Sequence, residues 1–327
     1  MKNFDIIVMG IRNLVKRKAR TILTVLGVLI GTAAIIVMIS LGIGTNEANE
    51  KAIESERSVH NISVSSYYYP PADDSGNWRE PIQGVLDDKA IAAIAAFPEV
   101  EAASPVMYEY FNIVAGKYKT SCSIVGMNTE IIGKLDMDLA EGRLLQEGDA
   151  NVALFGFRIP YNFYNTRSNS RNYYYGFADM SEPPPVDVFN DRMVMTSDWS
   201  YGERRQPGME ASTQKPKLYN IKAVGLLNGN ENTYSEYDYQ IIVNIEWLLK
   251  VKAEEARRSS GGGGGYGGIS VMSSSGGGRV SYSGGGASTS QYDQAIVRVR
   301  EKKDVEGVQT KINEMGLGAN SSLDWLK

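Results

Sequence analysis

One cysteine, Cys122, and one histidine, His60, are all that the 327 residues hold of either type. A lone cysteine excludes any disulfide within the chain and any cysteine-rich metal site, so the fold rests on its core. A Ser/His/Asp hydrolase would have to use His60, which stands next to Asn61 with no companion motif. A surface or hinge position is the plainer reading. No GxxxxGK[ST] run occurs, so the glycine-rich stretches are not read as a phosphate cradle. The acidic pairs Asp87-Asp88 and Asp136/Asp138 lack the alternating oxygen ligands and distal Glu of a calcium loop, and read as a helix N-terminus and a solvated turn. The sequence thus offers no catalytic, cofactor-binding or metal-ligating candidate.

Charge is also scarce where nucleic acid would need it. Residues 1–20 carry Lys2, Arg12, Lys16, Arg17, Lys18 and Arg20 against Asp5, a formal +5; with −4 overall, the remaining chain is −9. An acidic main body argues against a phosphate-backbone partner, and the basic cluster marks a membrane boundary instead.

From Ile22 to Gly44 the chain runs ILTVLGVLIGTAAIIVMISLGIG without a charge. As a helix rising about 1.5 Å per residue this exceeds the roughly 30 Å hydrocarbon layer, and it is longer than the apolar core of a cleaved signal peptide. Ile22, Leu26, Gly27, Gly31 and Leu41 are therefore expected in a membrane anchor, with Gly27 and Gly31 forming a small-xxx-small notch for close helix packing. The positive-inside rule leaves Arg12, Lys16, Arg17, Lys18 and Arg20 at the cytoplasmic surface and sends the rest outward. Phe4, Ile7, Ile11 and Leu14 recur at helical spacing beside these cations, which suits an amphipathic helix lying on membrane lipid. A plain basic flank is the alternative.

Beyond the span, an α+β organisation is expected in two extracytoplasmic subdomains, one inserted in the other. The parts are a cytoplasmic amphipathic segment (1–20), the membrane helix (21–44), a polar helical stalk (45–60), a discontinuous α+β subdomain (61–137 plus 291–327) and an inserted β-rich subdomain (138–290). NISVSSY alternates as a strand, LDDKAIAAIAAF is helical with Ile91, Ile94 and Ala95 on one face, and strands follow at 106–115 and 118–127. QAIVRVR alternates cleanly, and a helix from Asp304 to Met315 puts Val305, Val308 and Ile312 together. Strand–helix–strand order thus occurs at both ends. Between them, VALFG, LYNIKAVGLL and YQIIVNI read as strands and IEWLLKVKAEEARR as a helix, separated by Tyr-, Asn- and Pro-rich loops read as exposed. Residues 259–291 are mostly glycine and serine, a composition predicted to stay mobile. Gly142-Arg143 is read as a structural turn, the glycine ordering the backbone and the guanidinium bridging carboxylates. Glu236 and Asp238 among Tyr234, Tyr237 and Tyr239 form a group suited to a sugar or protein partner, though loop aromatics more often have no such role.

The opening resembles MacB/FtsX-type ABC transporter permeases, whose first span has the form LTxLGxxIGxAAxIxxxxLGxG. Leu23-Thr24, Leu26-Gly27, Ile30-Gly31, Ala33-Ala34, Leu41-Gly42 and Gly44 fit it. FPEVEAASPV, SIVGM, MDLAEGRLL, VALFG, IKAVGLL and AIVRVREKKDVEGVQTKI resemble the family's extracytoplasmic core in order and spacing. The resemblance implies a permease subunit, itself no enzyme, that pairs with an ABC ATPase subunit as a homodimer or a heterodimer with a related permease. It implies motion of the outer domain driving efflux or acting on an extracytoplasmic protein partner. The family has three further spans after the outer domain that this sequence does not show, so truncation ahead of a second span is expected, with an unusual single-span member as the other reading. A single-span receptor with Tyr-rich binding loops is the alternative, and an anchored extracellular enzyme ranks third.

Overall fold

The computed structural model describes residues 18–55, 59–70, 76, 79–135, 137–168, 180, 182–203, 215–230, 235–260 and 291–326. The chain divides into two compact units, Met1–Arg57 and Ser58–Lys327. In the first, helix α1 runs unbroken from Lys18 to Ser55, 38 residues. It passes through the polar sequence expected to extend the membrane helix, where Glu, Ala and Lys favour helix and no proline intervenes.

In the second unit, β1 (Asn61–Ser65) buries Ile62 and Val64 and exposes Ser63. After β2 (Tyr67–Tyr68) and β3 (Ile82–Gln83), helix α2 spans Asp88–Ala95. Asp87 caps it, its Oδ1 accepting the Ala90 N–H at 2.9 Å, so this carboxylate serves an orphan donor of the first turn. Ile91 and Ile94 are buried as expected, whereas Ala95 faces outward. Strand β4 (Val100–Ala115) begins six residues before the alternation suggested. Strand β12 (Gln294–Val299), helix α5 (Val305–Glu314) and β13 (Gly318–Ser321) close the chain, α5 burying Val305, Val308 and Ile312. These strands form an antiparallel array in the order β13-β1-β12-β4.

The chain between β4 and β12 supplies β5 (Tyr118–Met127), α3 (Thr129–Lys134), β6 (Leu139–Gly142), β7 (Val152–Phe155), β8 (Tyr164–Asn165), β9 (Met193–Thr196), β10 (Tyr219–Leu227), β11 (Gln240–Asn244) and α4 (Ile245–Ser260). Starting from β4, the pairings run β9, β10, β7, β11 and β5 and return to β4, closing a circuit of six strands. Two of its rungs are parallel, β10 with β7 and β11 with β5. Closure leaves no free edge among these strands. One buried cluster extends from Ile62, Val64 and Leu86 to Met107, Phe111, Ile113, Phe155 and Ile241. On the opposite faces of the circuit's strands, Val125, Leu154 and Ile242 join a second cluster with Ile131 and Ile132 of α3. Helix α4 lies over β5, where Leu248 reaches the bare backbone of Gly126.

The loops read as exposed are partly interior. Phe163, Val186 and Val188 are buried in the first cluster, because aromatic and branched side chains set between polar residues still fill core space. Of the Gly/Ser-rich stretch 259–291, residues 261–290 lie outside the described residues, and Ser259 and Ser260 end helix α4 instead of belonging to the loop.

Candidate functional site

Helix α1 contains a 28-residue segment, Lys18–Thr45, long and apolar enough to cross a membrane. Its large side chains are exposed, Leu23 at 71% and Leu41 at 71%, so this apolar surface has no protein cover within the described residues. The hydroxyls satisfy themselves along the helix: Thr24 donates to the Arg20 carbonyl at 3.1 Å, Thr32 to Val28 at 3.0 Å and Thr45 to Leu41 at 2.7 Å. Such internal bonds are what a lipid environment requires. Ile22 and Leu26 are likewise exposed, and nothing lies within 4 Å of a Cβ built on Gly27 or Gly31, which leaves the small-residue notch open. Lys18 and Arg20 open the helix and are exposed; Arg12, Lys16 and Arg17 lie outside the described residues.

Gly142 ends β6 with φ +87°, a backbone region that an L side chain resists. A Cβ there would overlap the Val224 carbonyl oxygen and stand 2.8 Å from Gly225 Cα. The close approach lets Arg143 N–H donate to that Val224 carbonyl at 2.8 Å. The Arg143 guanidinium then grips Asp149 bidentately, Nη1 to Oδ2 at 2.7 Å and Nη2 to Oδ1 at 3.1 Å, and donates to the Leu144 carbonyl at 2.9 Å. Asp149 also accepts the Gln146 N–H at 2.9 Å. The Arg143 hydrogen bond holds its carboxyl below the ordinary range. One carboxylate and two glycines, Gly142 and Gly225, therefore fix the turn joining β6 to β7.

Sequence reasoning missed an ion pair made by a buried lysine. Lys119 on β5 is 2% exposed, and its Nζ donates to the Trp199 carbonyl at 2.6 Å and to Glu203 Oε1 at 3.2 Å. Glu203 also accepts the Tyr164 hydroxyl at 2.5 Å, and Asn112 Nδ2 donates to the Asp198 carbonyl at 3.0 Å. These bonds fasten the Asp198–Glu203 loop to the β4–β5 hairpin. In sequence Lys119 simply looks like a solvent-facing residue of a strand.

In the Tyr/acid group, Glu236 is exposed and Tyr237 and Tyr239 are half-buried, while Asp238 is turned inward. Asp238 is 2% exposed and pairs with Arg158 at 3.6 Å, while Arg158 lies 5.6 Å from the Tyr239 ring centre. Tyr237 packs against the second cluster, and burial pushes its phenol well above the usual range. Tyr234 lies outside the described residues. Cys122 is buried with its thiol pushed up to about 12 by desolvation, the condition of an inert structural cysteine. Among the described residues no three His, Cys, Asp or Glu side chains gather as a metal site would need.

Residues 21–159 match the family described as MacB-like periplasmic core domain. The pyoverdine export ATP-binding/permease protein PvdT of Pseudomonas aeruginosa is 30% identical over 146 residues, 43% of this chain and 20% of that protein. The macrolide export ATP-binding/permease protein MacB 2 of Aeromonas hydrophila is 28% identical over 141 residues, 43% of this chain and 21% of that protein. The chain spans about a fifth of the length of these relatives. A solved structure, the periplasmic region of MacB from Actinobacillus actinomycetemcomitans, superimposes with a TM-score of 0.42 at 9% identity, covering 82% of this chain and 91% of that one.

Proposed function

We propose that this chain, whose residues 21–159 match the MacB-like periplasmic core domain family, is the part of an ABC transporter permease that couples motion of its membrane helices to efflux or to a cell-envelope partner. The observation that carries the reading is the order of elements. A membrane-length apolar helix with cations at its start opens the segment that matches the family, residues 21–159, and the folded unit follows it in sequence. In this reading Arg12, Lys16, Arg17, Lys18 and Arg20 lie at the cytoplasmic face, where anionic lipid headgroups attract them. The Gly27/Gly31 notch offers a packing face for a second permease subunit, identical or related. ATP hydrolysis belongs to a partner ABC ATPase subunit. The domain itself transmits movement.

Orientation is tested with an epitope placed before Lys2 in intact spheroplasts treated with external protease. Digestion of the Ser58–Lys327 unit with survival of the epitope on a membrane fragment supports the reading. Protection of that unit, or loss of the epitope, refutes the proposed direction.

A further inference from the structure

The four-strand array β13-β1-β12-β4 and the six-strand circuit share β4, and the chain returns from the circuit through Gln291–Gln294. Two bodies of core joined by a pair of strands are by default free to bend. At this junction the contacts oppose bending. Val106 is paired on both ladders, with Gln294 of β12 and with Met127 of β5, so β4 has no unpaired residue where its partner changes. One step further, where β12 no longer supplies a backbone acceptor, the Tyr108 N–H donates to Asp293 Oδ2 at 2.9 Å. The Tyr108 hydroxyl donates to Gln294 Oε1 at 3.2 Å, and the Asn128 N–H donates to Oγ of the fully buried Ser104 at 2.9 Å. The returning segment is held as well: Gln291 N–H donates to the Leu86 carbonyl at 3.0 Å, and the Tyr292 hydroxyl to Asp88 Oδ1 at 2.6 Å. The first buried cluster continues through the junction without interruption.

We infer that the junction around Val106 is a weld, with the Asp293 carboxylate serving as one additional rung, and that β4 acts as a single beam through the whole domain. Its 16 residues span roughly 50 Å at strand rise. A displacement applied at the β13-β1-β12 side then arrives at the tip of the β4–β5 hairpin, Gly116 and Lys117, as rigid-body movement. This rigidity belongs to the folded unit whether or not the chain serves transport.

Amide hydrogen exchange resolved along β4 in the full chain in detergent tests it. A weld requires the Val106 and Tyr108 amides to exchange within about tenfold of Ile113 and Ile124, and exchange more than about tenfold faster than both marks a hinge and overturns the inference. Asp293→Ala should raise exchange at Tyr108 while sparing Ile113, and Asp293→Asn, which keeps an acceptor oxygen, should restore protection. Should Asp293→Ala fail to fold, spin labels at Lys89 and Lys117 in the otherwise unchanged chain decide the matter. A single narrow distance supports the weld, and a broad or two-peaked distribution refutes it.

Discussion

Gly142 and Gly148 flank the same turn and share a backbone conformation, φ +87° and φ +82°, yet their surroundings differ. Nothing lies within 4 Å of a Cβ added at Gly148, so Gly148→Ala costs only the left-handed conformation, about 1–2 kcal/mol. At Gly142 the added methyl meets β10 backbone, the Val224 carbonyl oxygen and carbon and Gly225 Cα, none of which can rotate aside. Relief requires moving β6 away from β10, which sacrifices the Arg143 N–H to Val224 bond, about 1 kcal/mol, and adds the strain of overpacking, about 1–3 kcal/mol. Gly142→Ala should therefore be less stable than Gly148→Ala by about 2–4 kcal/mol. Urea unfolding of the full chain in detergent, followed by tryptophan fluorescence, reads the difference as a shift in midpoint at unchanged slope. If the two variants unfold within about 1 kcal/mol of each other, the contact argument is wrong and the glycine serves only its dihedral angle.

The turn's ion pair should show its sign in pH. Because the Asp149 carboxyl is lowered by Arg143, its stabilisation is full above the ordinary carboxylate value of about 4 and is lost as pH falls through the folded value. The midpoint difference between wild type and Asp149→Asn should thus vanish on acidification; growth of that difference would contradict the assignment. Lys119→Met leaves Glu203 without its cation and should cost about 2–3 kcal/mol, below the usual buried-pair range because the Glu203 side chain is 31% exposed. The Lys119→Met/Glu203→Gln double variant should recover part of that loss in the same unfolding assay. Cys122 should resist maleimide in the native chain and react fully once unfolded, and rapid native labelling would show that its burial is misplaced.

Alternation and helical spacing made much of the second unit legible. QAIVRV shows its period in β12, and Val305, Val308 and Ile312 share a face of α5 as their spacing requires. Two short elements escaped, α3 with six residues and β9 with four, too few for a period to emerge; β7, equally short, was legible only as an apolar run. The early start of β4 was hidden by Ala102, Ala103 and Pro105, which are poor strand formers. The parallel rungs of the circuit join residues far apart in sequence, Ser123 with Gln240 for example, and no local pattern encodes them. At the candidate site the glycine–arginine pair was visible, but the Val224 carbonyl that a Cβ at Gly142 would strike was not. Lys119 and Glu203 stand 84 residues apart, and only the fold brings the opposite charges together.

The proposed function stands or falls with an ABC ATPase partner. The direct measurement is to cross-link the tagged protein in native membranes, purify it, identify its partners by mass and assay ATP hydrolysis with and without it. An ABC ATPase should be recovered in fixed stoichiometry, with hydrolysis that changes when this chain is removed. Recovery of the chain without any such ATPase, or hydrolysis indifferent to its removal, would contradict it.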